Sequence, residues 1–111
     1  MGLSTHILDT AIGRPAVDVE ILLEKQRGSE WRPLARGKTD SDGRCRTLID
    51  EHGMEAAIYR LRFFTGPYFK AQKITALYPI VDITFEVHDP GSHYHIPLLL
   101  TANGYTTYRG S

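Results

Sequence analysis

Apolar and polar residues alternate with period two along this chain, in runs cut short by turn signals. That pattern constrains the fold more than any other feature. Val17, Val19, Ile21 and Leu23 alternate with Asp18, Glu20 and Glu24, which predicts a half-buried strand with one wet face. Residues 58–64 set Ile58, Arg60 and Arg62 against Tyr59, Leu61 and Phe63, and residues 80–86 set Ile83 and Phe85 against Asp82, Thr84 and Glu86. Stretches at 3–8, 31–39 (Pro33 marking an edge or bulge), 44–49, 94–101 and 105–109 complete about eight short strands. Gly13-Arg14-Pro15, Arg27-Gly28-Ser29, Asp42-Gly43, Asp89-Pro90-Gly91 and Asn103-Gly104 punctuate them, as turns require. Residues 66–73 are the one helical candidate, a turn or two long. Short strands at this spacing predict an all-β, two-sheet antiparallel sandwich of Greek-key type. The 111 residues suit one domain spanning 1–111 and not two cores.

Charge narrows the partners. Thirteen basic and thirteen acidic side chains cancel, so no electrostatic footprint for nucleic acid or an anionic membrane is present. The apolar run at residues 96–100 is far short of the roughly twenty residues of a membrane span. Asp9, Arg14 and Asp18 precede any apolar stretch, so no signal peptide is expected. A lone cysteine, Cys45, suits a reducing compartment. The expectation is a cytoplasmic protein.

Residues 88–111 break the pattern. They hold one Asp, one Arg and three of the five histidines. Within 94–101 neither face carries a charge, since Tyr94, Ile96, Leu98 and Leu100 oppose His95, Pro97 and Leu99. A terminal antiparallel strand keeps one polar face unless something covers it. Another copy of the chain is the expected cover; a strand central to its sheet and roofed by a loop is the alternative.

Few motifs point to chemistry by themselves. His93 and His95 form H-x-H, which on a strand puts both imidazoles on one face at a metal-ligand spacing. No third ligand stands at a telling distance, so the dyad reads as one structural and one functional histidine, or two surface ones. No metal is expected. His6 taken alone reads as a core or rim residue, and His52 and His88 as surface residues. Asp40-Ser41-Asp42-Gly43 opens like a calcium loop, but Arg44 and Cys45 occupy the positions that need an oxygen ligand and a glycine. A tight turn delivering Arg44 is the better reading, with Cys45 on the opposite pleat as a small core residue. The Tyr- and Thr-rich end suggests a terminus that is tied down.

Taken together, the residues carry a resemblance. The chain resembles the transthyretin-like family, and within it the 5-hydroxyisourate hydrolases. The carriers are Leu3-Ser4-Thr5-His6-Ile7-Leu8-Asp9-Thr10, Thr39-Asp40-Ser41-Asp42-Gly43-Arg44, His93-Tyr94-His95-Ile96-Pro97-Leu98-Leu99-Leu100 and the closing Tyr108-Arg109-Gly110-Ser111, with Tyr78-Pro79 before a strand. The motifs run in order along the whole chain.

The resemblance implies a sandwich of two four-stranded sheets with one short helix. It implies a homotetramer, a dimer of dimers with active sites in a channel between subunits. It also implies a small purine-derived substrate: 5-hydroxyisourate, the product of urate oxidation, opened to 2-oxo-4-hydroxy-4-carboxy-5-ureidoimidazoline without metal or organic cofactor. Carried onto this sequence, His6, Arg44, His95 and Tyr108 are the catalytic residues. His6, Arg44, Tyr108 and Ser111 contact substrate, Pro97, Leu99 and Thr106 support the site, and Arg109, Gly110 and Ser111 shape its floor.

The chemistry is consistent with that set. Water must attack a ring lactam carbonyl, and a histidine titrating near neutrality can take its proton and return it to the leaving nitrogen. Arg44 can grip an anionic substrate and stabilise the oxyanion. The expected division is His6 on the water, His95 orienting substrate or relaying a proton, and Tyr108 bonding the ring. Two rivals remain: a transthyretin-type carrier of a small aromatic ligand, and a structural sandwich that only mediates contacts. The carrier has no use for two channel histidines, a channel arginine and the Tyr-Arg-Gly-Ser ending together, whereas the structural protein predicts no chemical phenotype for a His6 variant.

Overall fold

The computed structural model describes residues 2–46, 48–49 and 53–111. Its strands are β1 (Gly2–Asp9), β2 (Arg14–Pro15), β3 (Glu20–Arg27), β4 (Glu30–Lys38), β5 (Arg44–Cys45), β6 (Ala57–Phe64), β7 (Val81–Val87), β8 (His93–Thr101) and β9 (Gly104–Thr107). One short helix, α1 (Thr65–Ala71), follows β6, close to the expected 66–73. The strands form a four-stranded sheet in the order β4-β3-β6-β7 and a five-stranded one in the order β2-β1-β8-β9, with β5 also on β1. The chain is an all-β, two-sheet sandwich, as its alternation demands.

Alternation also builds the core. On β6, Tyr59, Leu61 and Phe63 are buried while Arg60 and Arg62 are not. On β8, Leu98 and Leu100 point inward beside Ile7 of β1 and meet Ile21, Leu23 and Val81 of the other sheet in one continuous cluster. The even-numbered side chains of β1 and the odd-numbered ones of β8, paired across the parallel ladder, therefore share the outer face, where the candidate site lies.

Several local expectations change. The sandwich is not wholly antiparallel, because β1 and β8 run parallel, from Gly2↔His93 to Asp9↔Leu100. A parallel pair requires a crossover, and here the whole second sheet lies between the two strands in sequence. Strand β8 is central to its sheet, between β1 and β9, and not terminal. The two four-stranded sheets implied by resemblance become five and four strands, since the second edge of β1 is shared by two short segments: β2 pairs at Leu8–Asp9 and β5 at Thr5–His6. The segment 44–49 accordingly pairs only at Arg44–Cys45; Thr47, within that expected strand, and His52, expected at the surface, lie outside the described residues.

The strand expected from Val17 begins instead at Glu20, because Asp18 takes a left-handed φ of 62° that a strand cannot continue through. Glu24 is not on a wet face. It is buried and paired with Arg60 at 2.8 Å, and the Arg60 guanidinium stacks over Trp31 at 4.3 Å. Pro33 behaves as its chemistry requires, on edge strand β4 and beside the register shift at Leu23/Glu24.

Strand β9 stops at Thr107, short of the expected Arg109. The cause sits on its neighbour. His95 and Gly110 form a bridge in which the Gly110 N–H donates to the His95 carbonyl at 2.8 Å, in the same register as Leu98↔Thr107 and Leu99↔Thr106. Hydrogen-bonded pairs alternate along an antiparallel ladder, so the next such pair sets Tyr108 opposite Pro97, which has no N–H to give. The ladder lapses there, and Thr107 Oγ1 donates to the Pro97 carbonyl at 2.7 Å.

Candidate active site

Pairing across three strands assembles the outer face of the five-stranded sheet. His6 of β1 stands opposite Pro97 of β8 on one side and Arg44 of β5 on the other. Ser4 stands opposite His95, and Leu8 opposite Leu99. Thr106 of β9 continues the row beside Leu99. His6, Leu8, Arg44, His95 and Leu99 are each half-buried. The result is a shallow apolar floor carrying two imidazoles and one guanidinium.

Arg44 reaches this place through backbone chemistry in its own turn. Asp40 Oδ1 accepts the N–H groups of Asp42 at 2.9 Å and Arg44 at 3.0 Å, and the Asp40 N–H donates to the Arg44 carbonyl at 2.8 Å. The N–H donated by Arg44, with smaller help from Asp42 and Arg46, holds the Asp40 carboxyl below its ordinary range. Gly43, at a φ of 73°, is required twice over. Its left-handed backbone favours glycine, and a Cβ there would stand 2.5 Å from the Ile7 carbonyl oxygen. That contact, with the Ile7 N–H donating to the Gly43 carbonyl at 2.8 Å, seats the turn against β1 beside His6. Cys45, on the opposite pleat, is buried.

His95 is held on three sides. The Ser4 hydroxyl lies 2.8 Å from its Nδ1 and also 2.8 Å from Nε2 of His93. Gly110 fixes the carbonyl of His95 and packs against its ring, leaving no room for a Cβ. Burial first, then the positive charge of Arg44 and the neighbouring His6 and His93, hold the imidazole below its ordinary value of 6.5; hydrogen bonding to the Ser4 backbone acts in the opposite direction. A histidine so placed is neutral near pH 7 and has one ring nitrogen, Nε2, left for a reacting molecule.

The chain end divides. Tyr108, Arg109 and Ser111 are exposed, and the Arg109 guanidinium lies 4.5 Å over the Tyr94 ring. Tyr108 and Arg109 border a cleft of about 280 Å³ with Tyr94, Ile96 and Phe85. A second cleft of about 380 Å³ lies by Pro15, Pro67 and Tyr68. Neither includes His6, Arg44 or His95, which lie on an open sheet face. The structure therefore brings together His6, Arg44, His95, Pro97, Leu99, Thr106 and Gly110, and leaves Tyr108, Arg109 and Ser111 at the margin of a single chain.

Ser4, His93 and Asp40 join the site without having been singled out for it. Ser4 shares parity with His6 and His93 shares parity with His95, so alternation alone could have flagged both. What joins them is a pairing across 91 residues of chain, which spacing does not reveal. Among the described residues no group of three or more His, Cys, Asp or Glu is placed to hold a metal ion. No helix among them is long and apolar enough to cross a membrane.

Known proteins share this sequence pattern and fold. The 5-hydroxyisourate hydrolase of Salmonella dublin is 43% identical over 109 residues, covering 98% of this chain and 80% of that protein. The structure of Klebsiella pneumoniae 5-hydroxyisourate hydrolase superposes with a TM-score of 0.87 at 33% identity over 100% of both chains. Sea bream transthyretin, solved in complex with thyroxine, superposes with a TM-score of 0.93 at 32% identity, covering 99% of this chain and 95% of that one. The family model "HIUase/Transthyretin family" matches residues 3–110, and the chain belongs to that family.

Proposed function

We propose that the protein hydrolyses 5-hydroxyisourate, a step of purine catabolism, by adding water across a ring lactam bond. The observation that carries the reading is the placing of His6, Arg44 and His95 on one sheet face by three separate strand pairings, in a chain whose named relatives are 5-hydroxyisourate hydrolases. Fold likeness alone does not choose, because the thyroxine-complexed transthyretin superposes at least as well as the hydrolase. The side chains do. A carrier needs complementary shape, whereas a turn held by Asp40 to present a guanidinium beside two imidazoles is suited to stabilising developing charge.

In this reading Arg44 grips the anionic substrate with its planar fork and stabilises the oxyanion that forms as water adds. The arrangement favours exchanging the roles first expected of the histidines. His95, neutral and with Nδ1 engaged, takes the proton of the attacking water at Nε2 and returns it to the leaving ring nitrogen. His6, beside Arg44, orients the substrate. Tyr108 and Ser111 complete the site when a second chain lies across the face. The half-buried Leu8 and Leu99 supply apolar surface for that contact, consistent with four chains assembling around a shared channel.

The test is direct. 5-Hydroxyisourate is generated in place with urate oxidase and its ultraviolet decay followed with and without the protein. Acceleration well above the spontaneous rate, lost in Arg44→Ala, supports the reading; equal decay with and without protein overturns it. The pH–rate profiles of His6→Ala and His95→Ala assign the base, which is the residue whose loss abolishes the limb nearest neutrality.

A further inference from the structure

We infer that Ser4 is a positioning residue that couples His93 to His95, so that the two imidazoles behave as one proton relay behind the reacting centre. The inference rests on the hydrolytic reading above and deepens it. Its basis is geometric. Parallel pairing sets Gly2 opposite His93 and Ser4 opposite His95, and the single hydroxyl of Ser4 is 2.8 Å from Nε2 of one ring and 2.8 Å from Nδ1 of the other.

A serine hydroxyl has one hydrogen to donate. It cannot donate to both rings, so their tautomers are tied together. When the Nδ1–H of His95 donates to Oγ, the hydroxyl donates to Nε2 of His93, and Nε2 of His95 carries a lone pair. As that nitrogen accepts a proton from water, the Nδ1 proton passes to Oγ while the original hydroxyl hydrogen passes to Nε2 of His93. His95 ends neutral with its hydrogen on Nε2, His93 ends as the cation, and hydroxide is delivered to the carbonyl. Release of the Nε2 hydrogen to the leaving nitrogen runs both transfers back. Only N–H and O–H bonds are exchanged.

Electrostatics give the relay a direction. The charged and titratable groups around His95 are Arg44 from β5, His6 from β1 and His93 from β8 itself. A positive charge created on His95 would face the Arg44 guanidinium from a half-buried ring. Moved to His93, two residues back along the strand, it sits on an exposed side chain, where water solvates it.

Three variants and one substrate-free measurement test the relay: Ser4→Ala, Ser4→Thr, His93→Gln and nitrogen-15 NMR titration of the histidines. Ser4→Ala is expected to lower kcat by about 10- to 100-fold with KM changed less than about threefold. Ser4→Thr, which keeps the hydroxyl, recovers most of the loss, and His93→Gln reproduces it without adding to Ser4→Ala. In the spectra, His95 titrates together with His93 in the wild type and independently of it in Ser4→Ala. Independent titration in the wild type overturns the relay even if the protein is fully active. A kcat loss in Ser4→Ala that His93→Gln does not share overturns it as well, reducing Ser4 to a prop for one ring. Coupled titration in a wild-type protein without hydrolytic activity would instead overturn the hydrolytic reading and leave the relay standing.

Discussion

Gly110 packs against the imidazole of His95. A side chain begun at that position would run into Cδ2, stand 3.2 Å from Cγ and meet Cγ of Pro97 at 3.3 Å. The same glycine donates its N–H to the His95 carbonyl at 2.8 Å, so ring and backbone are located from one point near the chain end. Gly110→Ala therefore has to push the imidazole away from its place between Ser4 and Arg44. Displacing a catalytic group by about 1 Å can lower a rate by about 100-fold. We expect a 10- to 100-fold fall in kcat with Tm within a few degrees of wild type, measured by the ultraviolet decay assay and thermal unfolding. Wild-type kcat in Gly110→Ala would show that the ring does not need this support.

Arg44 is predicted to resist its nearest chemical substitute. Lys carries the same charge but lacks the planar fork, and the Asp40 turn fixes only where the side chain starts. Arg44→Lys is expected to lose at least 10-fold, and Arg44→Ala about 100- to 1,000-fold, in kcat/KM. A lysine enzyme with full activity would mean that charge alone is needed here.

The pH–rate profile carries a sign. Burial, then Arg44, hold His95 below its ordinary value of 6.5, so the neutral base persists to lower pH than for a free imidazole. Activity should rise with pH through a midpoint below 6.5 and plateau near neutrality. Arg44→Ala removes the second of those causes, and its residual activity should show the midpoint moved upward. A midpoint above 6.5 in the wild type would contradict the environment described for His95.

Asp40 is predicted to matter twice, once for the turn and once for acid stability. Its carboxyl is lowered below 3.8 first by the Arg44 N–H bond. A depressed carboxylate stabilises the fold above its unfolded value and loses that contribution as pH falls through the lower folded value. Acid unfolding of Asp40→Asn should therefore show a weaker pH dependence below about 3.8 than wild type, and its kcat/KM should fall because Arg44 is less firmly placed. Identical acid-unfolding curves would remove Asp40 from the account.

Much of the fold was legible because its signal is local. Tyr59, Leu61 and Phe63 announce an inward face by alternation alone, and Gly28-Ser29 and Asn103 announce turns that the strands β3–β4 and β8–β9 then use. The misreadings have non-local or single-residue causes. Glu24 reads as wet until Arg60 is found beside it. Tyr108 reads as strand until Pro97 is found to face it without a donor. Asp18 cuts off the start of an alternating run by one left-handed φ that no period contains. The site follows the same division. His6, Arg44 and His95 were reached through motifs, whereas the contact of Ser4 with both histidines follows from the parallel pairing of the chain's first strand with its eighth.

The open position of His6, Arg44 and His95 leads to the last prediction. One chain leaves them on a sheet face outside both clefts that border its own residues, and it leaves Tyr108 56% exposed at the margin. A site that excludes water needs a roof, and the half-buried Leu8 and Leu99 are suited to receive the same face of another copy, since such contacts are self-complementary under twofold symmetry. Activity should then depend on assembly. Specific activity is expected to fall on dilution in step with the loss of the oligomer seen by light scattering, and Leu99→Glu, which sets like charges against each other across the twofold contact, should abolish both while the far-ultraviolet circular dichroism stays that of a β-sandwich. Full specific activity in a Leu99→Glu monomer would show that a single sheet face suffices.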